Sequence, residues 1–86
     1  MTKGLRSDQH ERSIIEKADC YRAFRRGQRG ATVASEAEAR LQAEAIGNAA
    51  PGNVAVIVYA MASATHQQTV KAVYRPRDGW EETTYI

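Results

Sequence analysis

The chain predicts an α+β fold, an antiparallel three-stranded C-terminal meander packed with one or two helices. Three observations predict it. The run VAVIVYAMA, residues 54–62, is apolar at every position, as a strand covered on both faces is. The segment TVASEAEARLQAEAIG, residues 32–47, carries capping residues at its start and a glycine at its end, the marks of a helix. The last stretch, QQTVKAVYRPRDGWEETTYI, holds two strand-like runs around an Asp-Gly pair, a hairpin signal. The element order is α-α-β-β-β, with β-β-α-β-β-β as the alternative.

The chain has 86 residues and is read as one domain over 1–86, with 1–7 a flexible tail. A chain of this size buries only about 60–65% of its unfolded surface. Alanine supplies much of the 43% apolar share, so the core is thin and association with another chain adds usefully to stability.

Residues 7–26 read as an amphipathic helix. Ile14, Ala18, Cys20, Tyr21 and Phe24 share one arc and Glu11, Arg12, Glu16, Asp19, Arg22 and Arg26 the other, with Ser7 or Asp8 as cap and Gly27 as stop. The same stretch also reads as a hairpin, residues 20–26 against 31–34, turning at Gly27 to Gly30. Both readings stand on sequence alone.

The next helix starts at Thr32 or Ser35, with Ser35 and Glu38 at capping-box spacing, and ends at Gly47. Glu36, Arg40 and Glu44 form a charged ridge assigned to water, and Ala34, Ala37, Leu41 and Ala45 an apolar strip. Ala39, Ala43 and Ile46 extend the contact sideways. Residues 63–67 form a polar loop after the first meander strand. A two-residue Asp78-Gly79 turn then pairs Arg77 with Trp80, Arg75 with Glu82, Val73 with Thr84 and Ala72 with Tyr85, so that Arg75, Arg77, Trp80 and Glu82 share one face.

The doubly apolar strand poses a question of cover. One helix shields one face, and the other face needs the first helix or another polypeptide. If both helices share one face, the second face is an interface.

No motif assigns chemistry. Cys20 with His10 or His66 is the one nucleophile and base set, but on a helix His10 lies about 15 Å from Cys20 along the axis. A small buried thiol is the stronger reading. One cysteine and two histidines fall short of a zinc set, and RRGQRGAT lacks the lysine of a phosphate loop. Glu81 and Glu82 point to opposite faces of a strand. The expectation is no enzyme and no cofactor or metal.

The lone cysteine excludes an internal disulfide and fits a reducing compartment. No apolar run approaches the roughly 20 residues of a spanning helix, and no signal-type segment follows the start. A cytoplasmic location with no membrane partner is expected.

Charge and aromatic placement point instead to binding. Residues 1–30 hold eight basic and four acidic groups, and residues 31–50 three acidic groups and one basic. Arg22, Arg25, Arg26 and Arg29 read equally as a phosphate or acidic-partner contact and as a helix end that satisfies the macrodipole. Trp80 with Arg75, Arg77 and Glu82 reads as a partner-binding anchor or as a local Arg-Trp stack. Tyr59, Tyr74 and Tyr85 read as core or sheet edge.

In the hairpin reading, strand, strand, the helix SEAEARLQAEA and three strands follow in order. That layout over residues 14–86 resembles several small phage-encoded anti-CRISPR proteins. The resemblance implies a non-enzymatic inhibitor that covers a nucleic-acid-binding or recruitment surface of a larger complex, and it transfers no site residue. The functional expectation is a small protein that binds a protein or ribonucleoprotein complex and acts by steric occlusion, with a nucleic-acid-binding module using the 22–29 cluster as alternative. A homodimer also fits a two-sided apolar sheet.

Overall fold

The computed structural model describes residues 5–7 and 9–85, with side chains from 11 to 83. The first four residues of the expected tail lie outside the described residues. Leu5–Ser7 form strand β1, followed by α1 (Gln9–Glu16), β2 (Cys20–Arg25), β3 (Gln28–Arg29), α2 (Glu36–Ala49), β4 (Val56–Ala62), β5 (Gln67–Arg75) and β6 (Gly79–Tyr85). The sheet order is β1-β6-β5-β4-β2-β3. It is antiparallel except for β1, which pairs parallel with β6. The α+β class and the C-terminal meander β4-β5-β6 stand as expected.

The single helix over 7–26 does not form. Helix α1 stops at Glu16, and Cys20 to Phe24 pair with Met61 to Ile57 of β4. Pairing with a central strand outweighs the helical arc, because it places Tyr21 and Ala23 against the core and Cys20, Arg22 and Phe24 on the far side. The hairpin reading holds in kind but not in its bounds: β3 is Gln28–Arg29, and of residues 31–34 only Val33 bridges to β2, at Tyr21. The hairpin turns at Arg26 and Gly27, where Gly27 has φ +84, a value that glycine takes without strain.

Helix α2 starts as expected, with the Ser35 hydroxyl accepting from the Glu38 N–H at 3.4 Å. It continues past Gly47 to Ala49. There the absence of a side chain lets the helix close on the sheet, since a Cβ on Gly47 would lie 3.1 Å from the Tyr74 ring and 3.3 Å from Val56. The expected rotation of α2 is reversed. Ala39, Ala43 and Ile46 are buried against Ala23, Val56 and Val58, while Leu41 of the supposed buried strip is 68% exposed. Glu36, Arg40 and Glu44 point along the sheet toward β5 and β6 instead of into water.

The expected register of the last hairpin is also displaced. Arg75 pairs with Gly79, Tyr74 with Trp80, Val73 with Glu81 and Ala72 with Glu82. The cause is Pro76. It fits the second position of a type I turn closed by the Asp78 N–H donating to the Arg75 carbonyl at 3.0 Å; the loop is the three residues 76–78, and Gly79 at φ +82 opens β6 opposite Arg75. A two-residue turn would need positive φ at Asp78, and His66 is the only non-glycine residue with positive φ among the described residues.

Burial alternates along β4. Val56, Val58, Ala60 and Ala62 are buried, and Ile57, Tyr59 and Met61 are half-buried. Helix α2 lies on the Val56 and Val58 side. Helix α1 touches β4 and β5 and buries Ile14, and the closure of Ala60, Ala62 and Thr69 on that same side places it beside α2. Both helices therefore share one face. The shortest extent of the molecule, 20 Å, matches one sheet and one helix layer at about 10 Å per layer.

Candidate functional site

With both helices on one side, the other, open side of the sheet carries neither; Val73 is buried there, and Phe24, Ile57, Tyr59, Met61 and Val70 are half-buried. Directly opposed residues of antiparallel strands point the same way, so the register sets out this surface in rows. One row runs Arg29, Phe24, Ile57, Val73, Glu81; the next runs Arg22, Tyr59, Val70; a third runs Cys20, Met61, Gln68. The middle is apolar and aromatic, with the Phe24 and Tyr59 ring centroids 6.4 Å apart and tilted by 57°. Arginines flank it. Arg22 and Arg29 sit beside the aromatic pair, and Arg75 meets Glu81 at 3.5 Å on the far edge. Three basic groups against one acidic group make this side positive.

The helix side carries the opposite balance. Arg40 donates two hydrogen bonds of 2.6 Å to the Glu82 carboxylate and bonds of 2.9 and 2.7 Å to Glu36. Lys71 stands 3.4 Å from Glu36 and 3.6 Å from Glu82. A register shift after Val58 leaves Lys71 as the extra residue of β5, and this bulge turns its ammonium to the helix side. The Arg40 guanidinium holds the Glu82 carboxyl below its ordinary 4.5, and the bonds to Glu82 raise Arg40 in turn. Glu38 and Glu44 add to the acidic count of this side.

The expected binding residues divide between these surfaces. Trp80 and Glu82 lie on the α2 side, where Glu82 stays exposed, and not on a shared face with Arg75 and Arg77, because of the Pro76 turn. The Trp80 ring lies 5.1 Å from Tyr74, its Nε1–H donates to Glu44 at 2.9 Å, and the Arg40 guanidinium sits 4.7 Å over it. Arg75 is on the open side. Arg77 is in the turn, its N–H donating to Asn53 at 2.8 Å. Of the arginine cluster, Arg22 and Arg29 reach the open side, Arg26 is exposed at the hairpin tip, and Arg25 turns to the other side and donates to Gln28 at 3.2 Å.

Cys20 and His66 line one depression of about 290 Å³ at the end of the sheet, together with Met61, Ser63 and Gln68. The fold thus brings the thiol near one of the two histidines, while the side chain of His10 is outside the described ones. The electrostatics run against a nucleophile. Burial, then the neighbouring Asp19, push the Cys20 thiol above its ordinary 9.0, whereas a reactive cysteine needs that value lowered. Asp19 is itself held below its ordinary range because its carboxylate accepts from the hydroxyl and N–H of Ser63, the residue after β4. Among the described residues, no three His, Cys, Asp or Glu side chains stand together as metal ligands do. No described helix is long and apolar enough to cross a membrane.

No protein-family model, curated protein or solved structure matches the chain. The reading of the site therefore rests on its geometry. Sequence reasoning missed Phe24 and Tyr59 as surface residues. The available signal was the doubly apolar β4, which needs a second cover that this chain does not provide among the described residues.

Proposed function

We propose that this protein is a non-enzymatic binding module that docks the open side of its sheet on a larger macromolecular complex and acts there by occlusion. One observation carries the reading: both helices lie on one side, which leaves Phe24, Ile57, Tyr59, Met61 and Val70 half-buried on the other under a rim of arginines. Contiguous apolar surface with a polar rim is the usual form of an interaction site, and aromatic residues and arginine are its common anchors. An inhibitor of a protein or ribonucleoprotein machine, acting in the cytoplasm, is the most concrete form of this reading. Arg75 belongs to the proposed surface, and Arg77 and Arg26 lie at its ends. Trp80 and Glu82 support it from behind.

Capture from a cell lysate by three immobilised proteins tests this. The native chain and a Leu41→Glu variant, altered on the outer face of α2, retain the same assembly, and a Tyr59→Glu variant with an unchanged circular dichroism spectrum loses it. Retention through Tyr59→Glu and loss through Leu41→Glu would move the site to the helix and end the proposal.

A further inference from the structure

The proposed docking surface has a composition that selects among partners, and the inference here rests on that reading of the open side. Two aromatic rings on adjacent strands, Phe24 and Tyr59, each have an arginine as cross-strand neighbour, Arg29 and Arg22 respectively. The two rows are separated by about 7 Å along the strands, two residues at roughly 3.4 Å each. Aromatic residues that each stand beside an arginine of the neighbouring strand suit stackable groups joined by anions.

The electrostatics agree. The open side carries Arg22, Arg29 and Arg75 against Glu81, while acids outnumber bases around α2, so a polyanion is drawn to the sheet and repelled from the helices. The Nε atoms of Arg22 and of Arg25 are both enclosed without a hydrogen-bond partner, one on each side of the sheet, so the side on which each residue lies and not this feature separates them. A duplex offers its bases only edge-on in its grooves, whereas a single strand can lay them on aromatic side chains.

We infer that the open side binds a single strand of nucleic acid, with bases stacked on Phe24 and Tyr59 and phosphates held by Arg22 and Arg29. Arg25, on the other side of the sheet, takes no part. This differs from a simple run of basic residues, because it divides the 22–29 segment by strand alternation and adds two rings.

Fluorescence anisotropy with labelled oligouridylate and oligothymidylate of about 12 nucleotides tests it, with a mixed-sequence duplex of equal length as comparison. Both single strands bind at least tenfold more tightly than the duplex. Tyr59→Ala and Phe24→Ala each weaken binding by about tenfold or more. Arg22→Gln and Arg29→Gln each flatten the log-log salt dependence by about 0.7, the value for one phosphate contact on a single strand. Arg25→Gln leaves affinity within twofold. Should Tyr59→Ala fail to fold, Tyr59→Leu keeps the volume and removes the ring.

Equal binding of duplex and single strand, or indifference to the loss of either ring, overturns the inference. Failure here is separable from failure of the broader reading. If neither oligonucleotide binds but lysate capture persists after nuclease treatment and still depends on Tyr59, the partner is a protein and only the inference falls. If the native chain is dimeric by light scattering and Tyr59→Glu is monomeric, the face is a self-interface and both fall.

Discussion

The two sides of the sheet use the same strands for opposite purposes. On the helix side, small and branched residues are sealed: Ala23, Ala39, Ala43, Val56, Val58 and Ala60 are all at 0% exposure. On the open side the large residues Phe24, Ile57, Tyr59 and Met61 remain half-buried. Alanines bring helix and sheet backbones close, with Ile46, Tyr74 and Trp80 as the large side chains of that side, while Phe24, Ile57, Tyr59 and Met61 stand where they do least for the core. Stability and the proposed binding thereby fall to opposite faces of one strand, β4, by nothing more than odd and even positions.

The sharpest test of this division compares two aromatic truncations. Trp80→Ala removes a ring held between Tyr74, Arg40 and Glu44, and we expect a loss of about 3 kcal/mol in urea unfolding, near the lower end for a buried aromatic. Tyr59→Ala on the open side is expected to cost about 1 kcal/mol or less. Equal losses would mean that the two sides are not distinct.

Next in size is the ion cluster that fastens α2 to β5 and β6. Arg40→Met keeps the length of the side chain but leaves Glu36 and Glu82 with Lys71 alone, and a loss of about 1–2 kcal/mol is expected for a partly exposed network. Arg40→Lys restores charge but not the paired bonds to Glu82, so it recovers only part of the loss. Arg75→Met, which breaks the exposed pair with Glu81 on the open side, is expected to change stability by less than about 0.5 kcal/mol.

The same cluster gives the helix side a pH dependence. Glu82 is held below 4.5 first by its hydrogen bonds from Arg40, so its folded value lies below its unfolded one. A carboxylate of this kind adds stability above its unfolded value, and that stability is lost as pH falls from 4.5 through the folded value. Acid titration of the unfolding midpoint is expected to show a decline below pH 4.5 that is shallower in Glu82→Gln. An identical decline in the variant would remove Glu82 from the account.

How much of this was legible in the sequence depends on the range of the interaction concerned. The meander, the capped helix at Ser35 and the positive segment near 22–29 follow from local pattern. The register of the last hairpin was also local, but it turned on Pro76, whose fixed φ and missing N–H favour a three-residue loop over Asp78-Gly79. The rotation of α2 was not legible. Ridge residues Glu36, Arg40 and Glu44 look solvated until Glu82, Lys71 and Trp80 arrive from over 25 positions away, and alanine marks an exposed face and a tight one equally well. The strand at Cys20–Arg25 was obscured because its open side carries arginine and its core side alanine, which blunts the alternation on which strand recognition depends.

The smallest expected effect lies at the end of the open side. Cys20 is on the same surface as Tyr59, yet its sulfur approaches the Met61 carbonyl at 3.8 Å and its thiol is raised above 9.0 by burial and by Asp19. Less thiolate is then present near pH 8 than in a free cysteine, and alkylation by iodoacetamide is expected to run several-fold slower than for a small thiol. Asp19→Asn removes the second cause but not the first, so it should speed the reaction only in part. Arg22 works in the opposite direction, and Arg22→Gln should slow it further. A thiol that reacts faster than a free one would show that Arg22 outweighs both burial and Asp19, and would return the depression it shares with His66 to consideration as a reactive site.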